Sequence, residues 1–258
     1  MTNDFEPRLA SLDTALFQHV LSQMPEEDQR SLLALQAAVR ARHRQFVYLE
    51  IGSYQGGSLQ PFVVDPCCQK IISIDLRLSK HADARGLHPY PENTTAKMIE
   101  SLGAIPGADA RKIQSIETGT DRIKPEAIQP RPHFCFIDGE HTAATVLRDT
   151  RFCLSVVEPD GCIAFHDANL IYGALDTFIK ELSQSGRAFR PYVLPETIFV
   201  IDLGAASYGE VEPVSLRRAD NYKAYLGSLL RNEWDCYNYQ LPAAYQFLRK
   251  IHRLFPRL

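Results

Sequence analysis

Apolar residues recur every three or four positions in residues 9–24 and again in residues 28–42, and this spacing predicts two leading helices. Three acids follow Pro25 directly and fit the first turn of the second helix. After residue 45 the pattern changes to short apolar runs rich in β-branched and aromatic residues. These runs predict buried strands at residues 46–51, 70–74, 112–116, 133–137, 161–165 and 197–201.

The segments between the strands are long enough for crossover helices, which we expect at residues 59–64, 96–102, 142–156 and 172–185. Such alternation is typical of βαβ units. We therefore predict an α/β, Rossmann-like, doubly wound fold with a mostly parallel seven-stranded sheet and flanking N- and C-terminal helices. The expected division is residues 1–45 as N-terminal helices, 46–205 as the central domain and 206–258 as a C-terminal helical extension, with helices at 221–230 and 243–254.

Composition narrows the class of protein. A chain of 258 residues with 45% hydrophobic content suits one large domain. A net charge of -3 without a basic stripe argues against nucleic acid as a partner. The six cysteines lack disulfide-like or zinc-like spacing, so reduced thiols are expected. The first residues lack a signal-peptide profile, and no apolar run approaches the ~20 residues of a membrane span, which predicts a cytoplasmic protein.

The last predicted helix, residues 243–254, has basic residues on one face and apolar residues on the other. Such a helix usually packs on its own domain or on a second copy, and membrane association is the less favoured alternative. The leading and terminal helices together carry more apolar surface than one sheet needs for cover, which favours a homodimer.

The first candidate site is the sequence EIGSYQGGS at residues 50–58, directly after the first strand. Glycine is needed where backbone turns sharply and approaches a ligand, so Gly52 and Gly56 indicate a cofactor-binding loop. Asp75 ends the next strand beside this loop, where its carboxylate can accept both hydroxyls of a ribose. Together they predict an adenosine-containing cofactor, with a plain turn and a capping aspartate as the alternatives.

The loop differs from the dinucleotide-binding fingerprint because Tyr54 stands at the middle glycine position. An acid at Glu50 would also be unfavourable beside a pyrophosphate. The pattern resembles the first motif of class I S-adenosylmethionine-dependent methyltransferases. This resemblance implies that the loop lines the methionine part of S-adenosylmethionine while Asp75 holds the ribose. The loop residues concerned are Glu50, Gly52, Ser53, Tyr54, Gly56 and Ser58.

Two later strands each end in an aspartate with a histidine nearby, in FCFIDGEH at residues 134–141 and GCIAFHD at residues 161–167. Parallel topology would bring Asp138, His141, His166 and Asp167 to the same sheet edge as the glycine loop. A histidine of ordinary pKa suits proton removal from a hydroxyl near neutral pH, so His141 is the candidate general base. A capping or supporting role for His141 has equal weight.

The run from IDGEHT to PDGCIAFHDA resembles the metal-assisted O-methyltransferases grouped with macrocin and rhamnosyl O-methyltransferases and cephalosporin hydroxylase-like proteins. The resemblance covers about residues 46–201 and implies that Asp138 and Asp167 hold a divalent cation, usually magnesium. His166 stands where relatives often carry a second acid, which shifts the preference toward manganese if it is a ligand. Thr120 lies in a segment resembling the family's G-D-S sequence near the adenine or ribose, with a plain turn as the alternative.

These observations predict direct methyl transfer from S-adenosylmethionine to a hydroxyl of a small-molecule or glycan substrate, with His141 and Asp138 catalytic. The resemblance suggests a sugar hydroxyl first and a phenolic hydroxyl second. Two alternatives stay open. One is an NAD-dependent oxidoreductase or epimerase, and the other is a non-catalytic methyltransferase-like domain that binds a partner.

Overall fold

A computed structural model of the chain describes residues 4–83 and 86–239. The helices are α1 (Phe5–Ala10), α2 (Glu26–Arg42), α3 (Gln60–Val64), α4 (Thr95–Gly103), α5 (Ala143–Val156), α6 (Ala168–Ser185), α7 (Val214–Arg217) and α8 (Tyr222–Tyr239). The strands are β1 (Phe46–Ile51), β2 (Cys68–Ile74), β3 (Lys80–Asp83), β4 (Gly86–Pro89), β5 (Ile113–Ile116), β6 (Phe134–Ile137), β7 (Cys162–Phe165), β8 (Phe189–Val193) and β9 (Phe199–Leu203). Short 3-10 turns occur at Thr14–Phe17, Ala110–Lys112, Thr120–Arg122, Pro125–Ala127 and Tyr208–Glu210.

Seven strands form one sheet in the order β5-β2-β1-β6-β7-β9-β8, and β3 with β4 forms a separate antiparallel hairpin. Neighbours from β5 to β7 are parallel, whereas β9 is antiparallel to both β7 and β8. Within this described sheet β9 alone therefore runs against the others. Ile51 lies opposite Ile74 and Ile137, so the carboxyl ends of the central strands meet at one edge. The predicted seven-stranded, mostly parallel, doubly wound sheet is confirmed.

Two apolar layers cover the two faces of the sheet. One layer includes Tyr48 and Phe134 and packs against α2, α3 and α4. The other includes Leu49 and Ile137 and packs against α5 and α6. Because side chains alternate along a strand, consecutive residues of β1 contribute to opposite layers. This double burial explains why the central strands read as continuous apolar runs.

The predicted strands and the helices from residue 26 to residue 185 are confirmed, with ends shifted by a few residues. The first leading helix, predicted over residues 9–24, is wrong because α1 ends at Ala10. Asp13 caps a short 3-10 turn that follows, because its side chain accepts a hydrogen bond from the Ala15 N–H. Gln60 then bonds the backbone of residues 17–20, which a longer helix would have used for itself.

Strand β8, the hairpin of β3 and β4, and the short helix α7 were not predicted. Strand β8 contains Pro191, which removes a donor from a sheet and argues against a central strand. The proline is tolerated because β8 is an edge strand paired only with β9 in the described sheet. The hairpin of β3 and β4 lies within residues 77–95, a segment that reads as a polar loop.

Near the C terminus, the helix predicted at residues 221–230 is the start of α8, whereas the one predicted at 243–254 lies outside the described residues. The five cysteines whose side chains are described are free thiols in this structure. Among the described helices, none combines the length and apolar character needed to cross a bilayer.

Candidate active site

A cavity of about 500 Å³ opens at the carboxyl ends of β1, β2, β6 and β7. This is the edge where the chain order reverses between β1 and β6, which is where open α/β sheets bind ligands. Eight of the residues predicted from sequence line it: Gly52, Tyr54, Asp75, Thr120, Asp138, His141, His166 and Asp167. The other four, Glu50, Ser53, Gly56 and Ser58, are buried behind its wall.

The loop after β1 requires glycine at two positions. Gly52 has a φ of +93°, and a Cβ there would lie 2.2 Å from the Asp138 carbonyl oxygen. Gly56 has a φ of +86°, and its Cβ would lie 2.7 Å from Leu102 in α4. Both positions therefore combine a left-handed backbone with close approach of another element. The first glycine lets the β1 loop lie directly against the end of β6.

Glu50 lies at the back of this loop with no exposed surface. Its carboxyl group accepts hydrogen bonds from the hydroxyls of Tyr48 and Ser58, each at 2.5 Å. Burial raises the pKa of Glu50 to about 7, although the two hydroxyl donors oppose the rise. The negative charges of Asp138 and Asp75 raise it further. Glu50 therefore braces the loop from inside the protein.

Asp75 presents its carboxylate to the cavity from the end of β2. Oδ2 accepts a hydrogen bond from the Tyr54 N–H at 2.8 Å, and Oδ1 accepts one from the Arg77 N–H at 2.7 Å. Each carboxylate oxygen can accept a second bond. The two oxygens are thus oriented by backbone donors. Oδ2 retains a position for a ligand hydroxyl, and a second hydroxyl can bind Oδ1 by displacing the long 3.4 Å contact from Asn93 Nδ2.

Asp138, His141 and Asp167 converge on the other side of the cavity. His141 Nε2 lies 3.0 Å from Asp167 Oδ2, and one donor atom from each of the three residues lies within 4.8 Å of the others. Asp167 has a φ of +52° and begins α6. A left-handed backbone is uncommon for a residue with a side chain, and such strain is concentrated at functional sites. Two carboxylates and one imidazole form a donor set that suits a divalent cation of the manganese type.

His166 has both ring nitrogens in contact with carboxylates. Nδ1 lies 3.1 Å from Asp138 Oδ1, and Nε2 lies 3.1 Å from Asp28 Oδ2. Burial alone would lower the pKa of His166, but Asp138, Asp28 and Asp167 overcome this and raise it to about 11. The expectation that His166 binds a metal gains no support from this arrangement, in which the ring orients Asp138.

Asp28, the residue behind His166, was not predicted as part of the site. It is fully buried, and its carboxylate also accepts hydrogen bonds from the Thr197 N–H at 3.0 Å and the Thr197 hydroxyl at 2.6 Å. In sequence it is one of three acids in the first turn of α2, a pattern that a helix dipole explains by itself. No local signal distinguishes it from its neighbours.

A second missed group comes from α5. Thr145, Arg148 and Asp149 line the cavity next to Thr120. The Thr120 hydroxyl donates to Asp149 Oδ1 at 2.5 Å, and Arg148 Nε donates to the Thr120 hydroxyl oxygen at 3.1 Å. Burial raises the pKa of Asp149. The spacing of three and four residues puts these side chains on one face of the helix, and that signal could have identified them.

The N-terminal segment before α2 forms a further part of the wall, with Gln23 and Pro25 facing the cavity. The Gln60 side chain holds this segment in place through hydrogen bonds to its backbone. Its oxygen accepts from the N–H groups of His19 and Val20, and its nitrogen donates to the carbonyls of Phe17, Val20 and Gly57, all at 2.8–2.9 Å. The segment also crosses Gly57 so closely that a Cβ there would lie 2.5 Å from the Leu21 carbonyl oxygen.

Comparison with known families gives a match in the central part of the chain. Residues 49–168 match the family model described as a methyltransferase domain. This segment is similar to methyltransferase domains, as the resemblance of its first motif implied. The match supports the methyltransferase prediction over the oxidoreductase alternative. No curated protein matches the chain.

Solved methyltransferase structures share the fold. The MycE methyltransferase of the mycinamycin biosynthetic pathway, in complex with Mg and SAH (S-adenosylhomocysteine), has a TM-score of 0.51 and 16% identity; the match covers 77% of this chain and 55% of MycE. The chain thus spans about half the length of MycE. The calicheamicin methyltransferase CalS11 has a TM-score of 0.51 and 14% identity, covering 76% of this chain and 92% of CalS11.

Proposed function

We propose that the protein transfers a methyl group from S-adenosylmethionine to a hydroxyl group of a sugar or a glycosylated small molecule. The observation that carries this proposal is the convergence of Asp138, His141 and Asp167 on the cavity that the glycine loop and Asp75 also line. A general base and two carboxylates at a cofactor cavity suit activation of a hydroxyl. MycE, whose structure also exists with mycinamycin VI, and the calicheamicin methyltransferase CalS11 support a natural-product acceptor.

In this proposal Asp75 accepts the ribose hydroxyls, and the loop from Gly52 to Gly56 lies against the methionine part of the cofactor. The acceptor oxygen forms a bond to the methyl carbon while the carbon–sulfur bond breaks and its electron pair stays on sulfur, giving S-adenosylhomocysteine. His141 takes the hydroxyl proton, and Asp167, 3.0 Å from His141 Nε2, orients the ring. Holding the two reactants in line supplies most of the acceleration.

A divalent cation fits this donor set, and Asp138 and Asp167 are the carboxylates that would hold it. When bound, it would lower the pKa of an acceptor hydroxyl and stabilise the developing negative charge. His141 would then either complete the ligand set or remain the base, because one ring nitrogen cannot do both. The two carboxylates suit magnesium or manganese, and manganese is favoured where His141 joins them as a ligand.

The first test is isothermal calorimetry of S-adenosylhomocysteine against the wild-type protein, with EDTA and with added MnCl₂. We expect saturable binding, and we expect Asp75→Asn to weaken it at least tenfold because hydrogen bonds to a charged group contribute about 1.5–3 kcal/mol each. Asp176→Asn, which alters a surface aspartate of α6, is the matched control and should bind like wild type. Failure of the wild-type protein to bind under either condition would refute the proposal.

The second test measures transfer of radioactive methyl from S-adenosylmethionine to a panel of glycosylated natural products and simple glycosides. His141→Gln should abolish transfer to any accepted substrate and leave the dissociation constant for S-adenosylhomocysteine unchanged. A protein that binds the cofactor but methylates nothing in the panel would favour the non-catalytic, partner-binding alternative.

A further inference from the structure

Arg77 is a buried cation beneath the glycine loop, two residues after Asp75. Its side chain is 5% exposed, and its φ of +53° is left-handed. It lies behind the residues that line the cavity and takes no part in the chemistry proposed above. A buried arginine on strained backbone needs a physical reason.

The guanidinium group of Arg77 links the loop to two strands, β2 and β5. Nη1 donates to the Tyr54 carbonyl oxygen and, at 3.2 Å, to Asn93 Oδ1. Nη2 donates to the Ser73 hydroxyl oxygen at 3.0 Å and to the hydroxyl oxygens of Ser53 and Ser115 at 3.3 Å each. Those serines lie in the β1 loop, in β2 and in β5. The planar fork of an arginine can make such divergent bonds, whereas the single ammonium of a lysine cannot.

The same contacts orient Asp75. Tyr54 donates its N–H to Asp75 Oδ2 while its carbonyl oxygen accepts from Arg77. Arg77 donates its own N–H to Asp75 Oδ1, and its Nη1 lies 3.9 Å from Oδ2. Asn93, which accepts from Arg77, donates to Asp75 Oδ1 at 3.4 Å. Every described group that orients the Asp75 carboxylate is therefore either Arg77 or a residue bonded to it.

Stability alone does not explain this arginine. Its Nε is buried without a hydrogen-bond partner, and burial lowers the pKa of Arg77 by disfavouring the charged form. A buried ion can often be replaced by an apolar side chain at little cost or with a gain. The serine hydroxyls also have other partners, since Ser53 bonds Ser73 at 2.5 Å and Ser115 bonds Thr95 at 2.7 Å.

We infer that Arg77 is a positioning residue for cofactor recognition, which fixes the Tyr54 peptide and the Asp75 carboxylate in the arrangement that accepts the two ribose hydroxyls. The inference rests on the proposed function, because it needs Asp75 to bind the ribose. Arg77 should therefore affect two quantities: the overall affinity for the cofactor, and the preference for a ribose that carries both hydroxyls.

The test compares wild type, Arg77→Met and Arg77→Lys with the control Arg131→Met. Arg131 also donates to backbone carbonyls, of Ser155 and Val157, but at the opposite end of β6. Calorimetry gives the dissociation constant for S-adenosylhomocysteine. Displacement by adenosine and by 2′,3′-dideoxyadenosine gives the preference for ribose hydroxyls. Thermal unfolding is recorded for each variant.

We expect Arg77→Met to raise the dissociation constant for S-adenosylhomocysteine at least tenfold. We also expect the ratio of the dissociation constants for 2′,3′-dideoxyadenosine and adenosine to fall close to one in this variant. Arg77→Lys should fall between this variant and wild type, and Arg131→Met should retain the wild-type preference. A structural role would weaken both nucleosides alike, so an unchanged preference in Arg77→Met would overturn the inference. Should that variant fail to fold, Arg77→Lys is judged by the same criterion. Absence of binding to the wild-type protein would instead refute the proposed function and the inference with it.

Discussion

The buried carboxyl group of Glu50 makes stability depend on pH in a direction that can be tested with one conservative substitution. The pKa of Glu50 is raised from the ordinary 4.5 to about 7, chiefly by burial. Between these values the unfolded chain releases the proton and the folded chain retains it. The favourable contribution to the free energy of unfolding is therefore complete below pH 4.5 and is lost as pH rises through about 7.

The size of the effect follows from the gap between the two pKa values. A difference of one pKa unit corresponds to about 1.4 kcal/mol, so the rise from 4.5 to about 7 corresponds to about 3 kcal/mol. The substitution Glu50→Gln keeps the shape of the side chain and removes its titration. Relative to wild type, this variant should gain about 3 kcal/mol of stability between pH 4.5 and pH 8.

The assay is urea unfolding of both proteins at a series of pH values and constant ionic strength, followed by circular dichroism. Other titrating groups are shared by both proteins, so they cancel in the difference between the two free energies. Glu126→Gln, which removes an exposed carboxylate, is the matched control for the loss of a glutamate. A Glu50→Gln difference that is flat or falls with pH would show that Glu50 is already ionised in the folded protein, and would refute the argument from burial.

Two further substitutions test how the cavity wall is built. Gly52→Ala should lower the free energy of unfolding by about 3 kcal/mol or more, because the backbone there is left-handed and the new Cβ would lie 2.2 Å from the Asp138 carbonyl oxygen. Gly173→Ala is the control, because a Cβ there would have no atom within 4 Å, and it should leave thermal stability unchanged or raise it. Equal melting temperatures for the two would contradict this. Gln60→Ala should leave five backbone groups without their partner and expose residues 17–20 to chymotrypsin, as read by limited digestion. Digestion at the wild-type rate would show that the segment is held by other contacts.

The fold was predictable where burial dominates the sequence pattern. Strand β1 was predicted with its observed ends because all six of its residues are buried. The failure over residues 9–24 has a different cause, since the backbone there is held by Gln60, about forty positions away. The spacing of apolar residues within a segment cannot reveal a hydrogen-bond partner that is so distant in sequence. Strand β8 was missed because Pro191 argues against a strand unless its edge position is already known.

The residues of the candidate site also fall into those that sequence could place and those that it could not. Asp75, Asp138 and Asp167 each follow a predicted strand, so parallel topology alone brought them to one edge. Glu50 was expected to face the cofactor, yet it lies behind the loop with Tyr48, its neighbour on the same face of β1. Alternation along the strand contains this information, but which face meets the cavity is decided only by packing.

The chemistry of this edge depends on residues that precede the methyltransferase match at residues 49–168. Asp28 contacts His166, 138 positions later in the sequence, and His166 in turn contacts Asp138. Gln23 and Pro25 also line the cavity. Under the proposed function, acceptor specificity should be sought in the N-terminal segment, because Gln23 and Pro25 line the cavity and lie outside the matched residues 49–168.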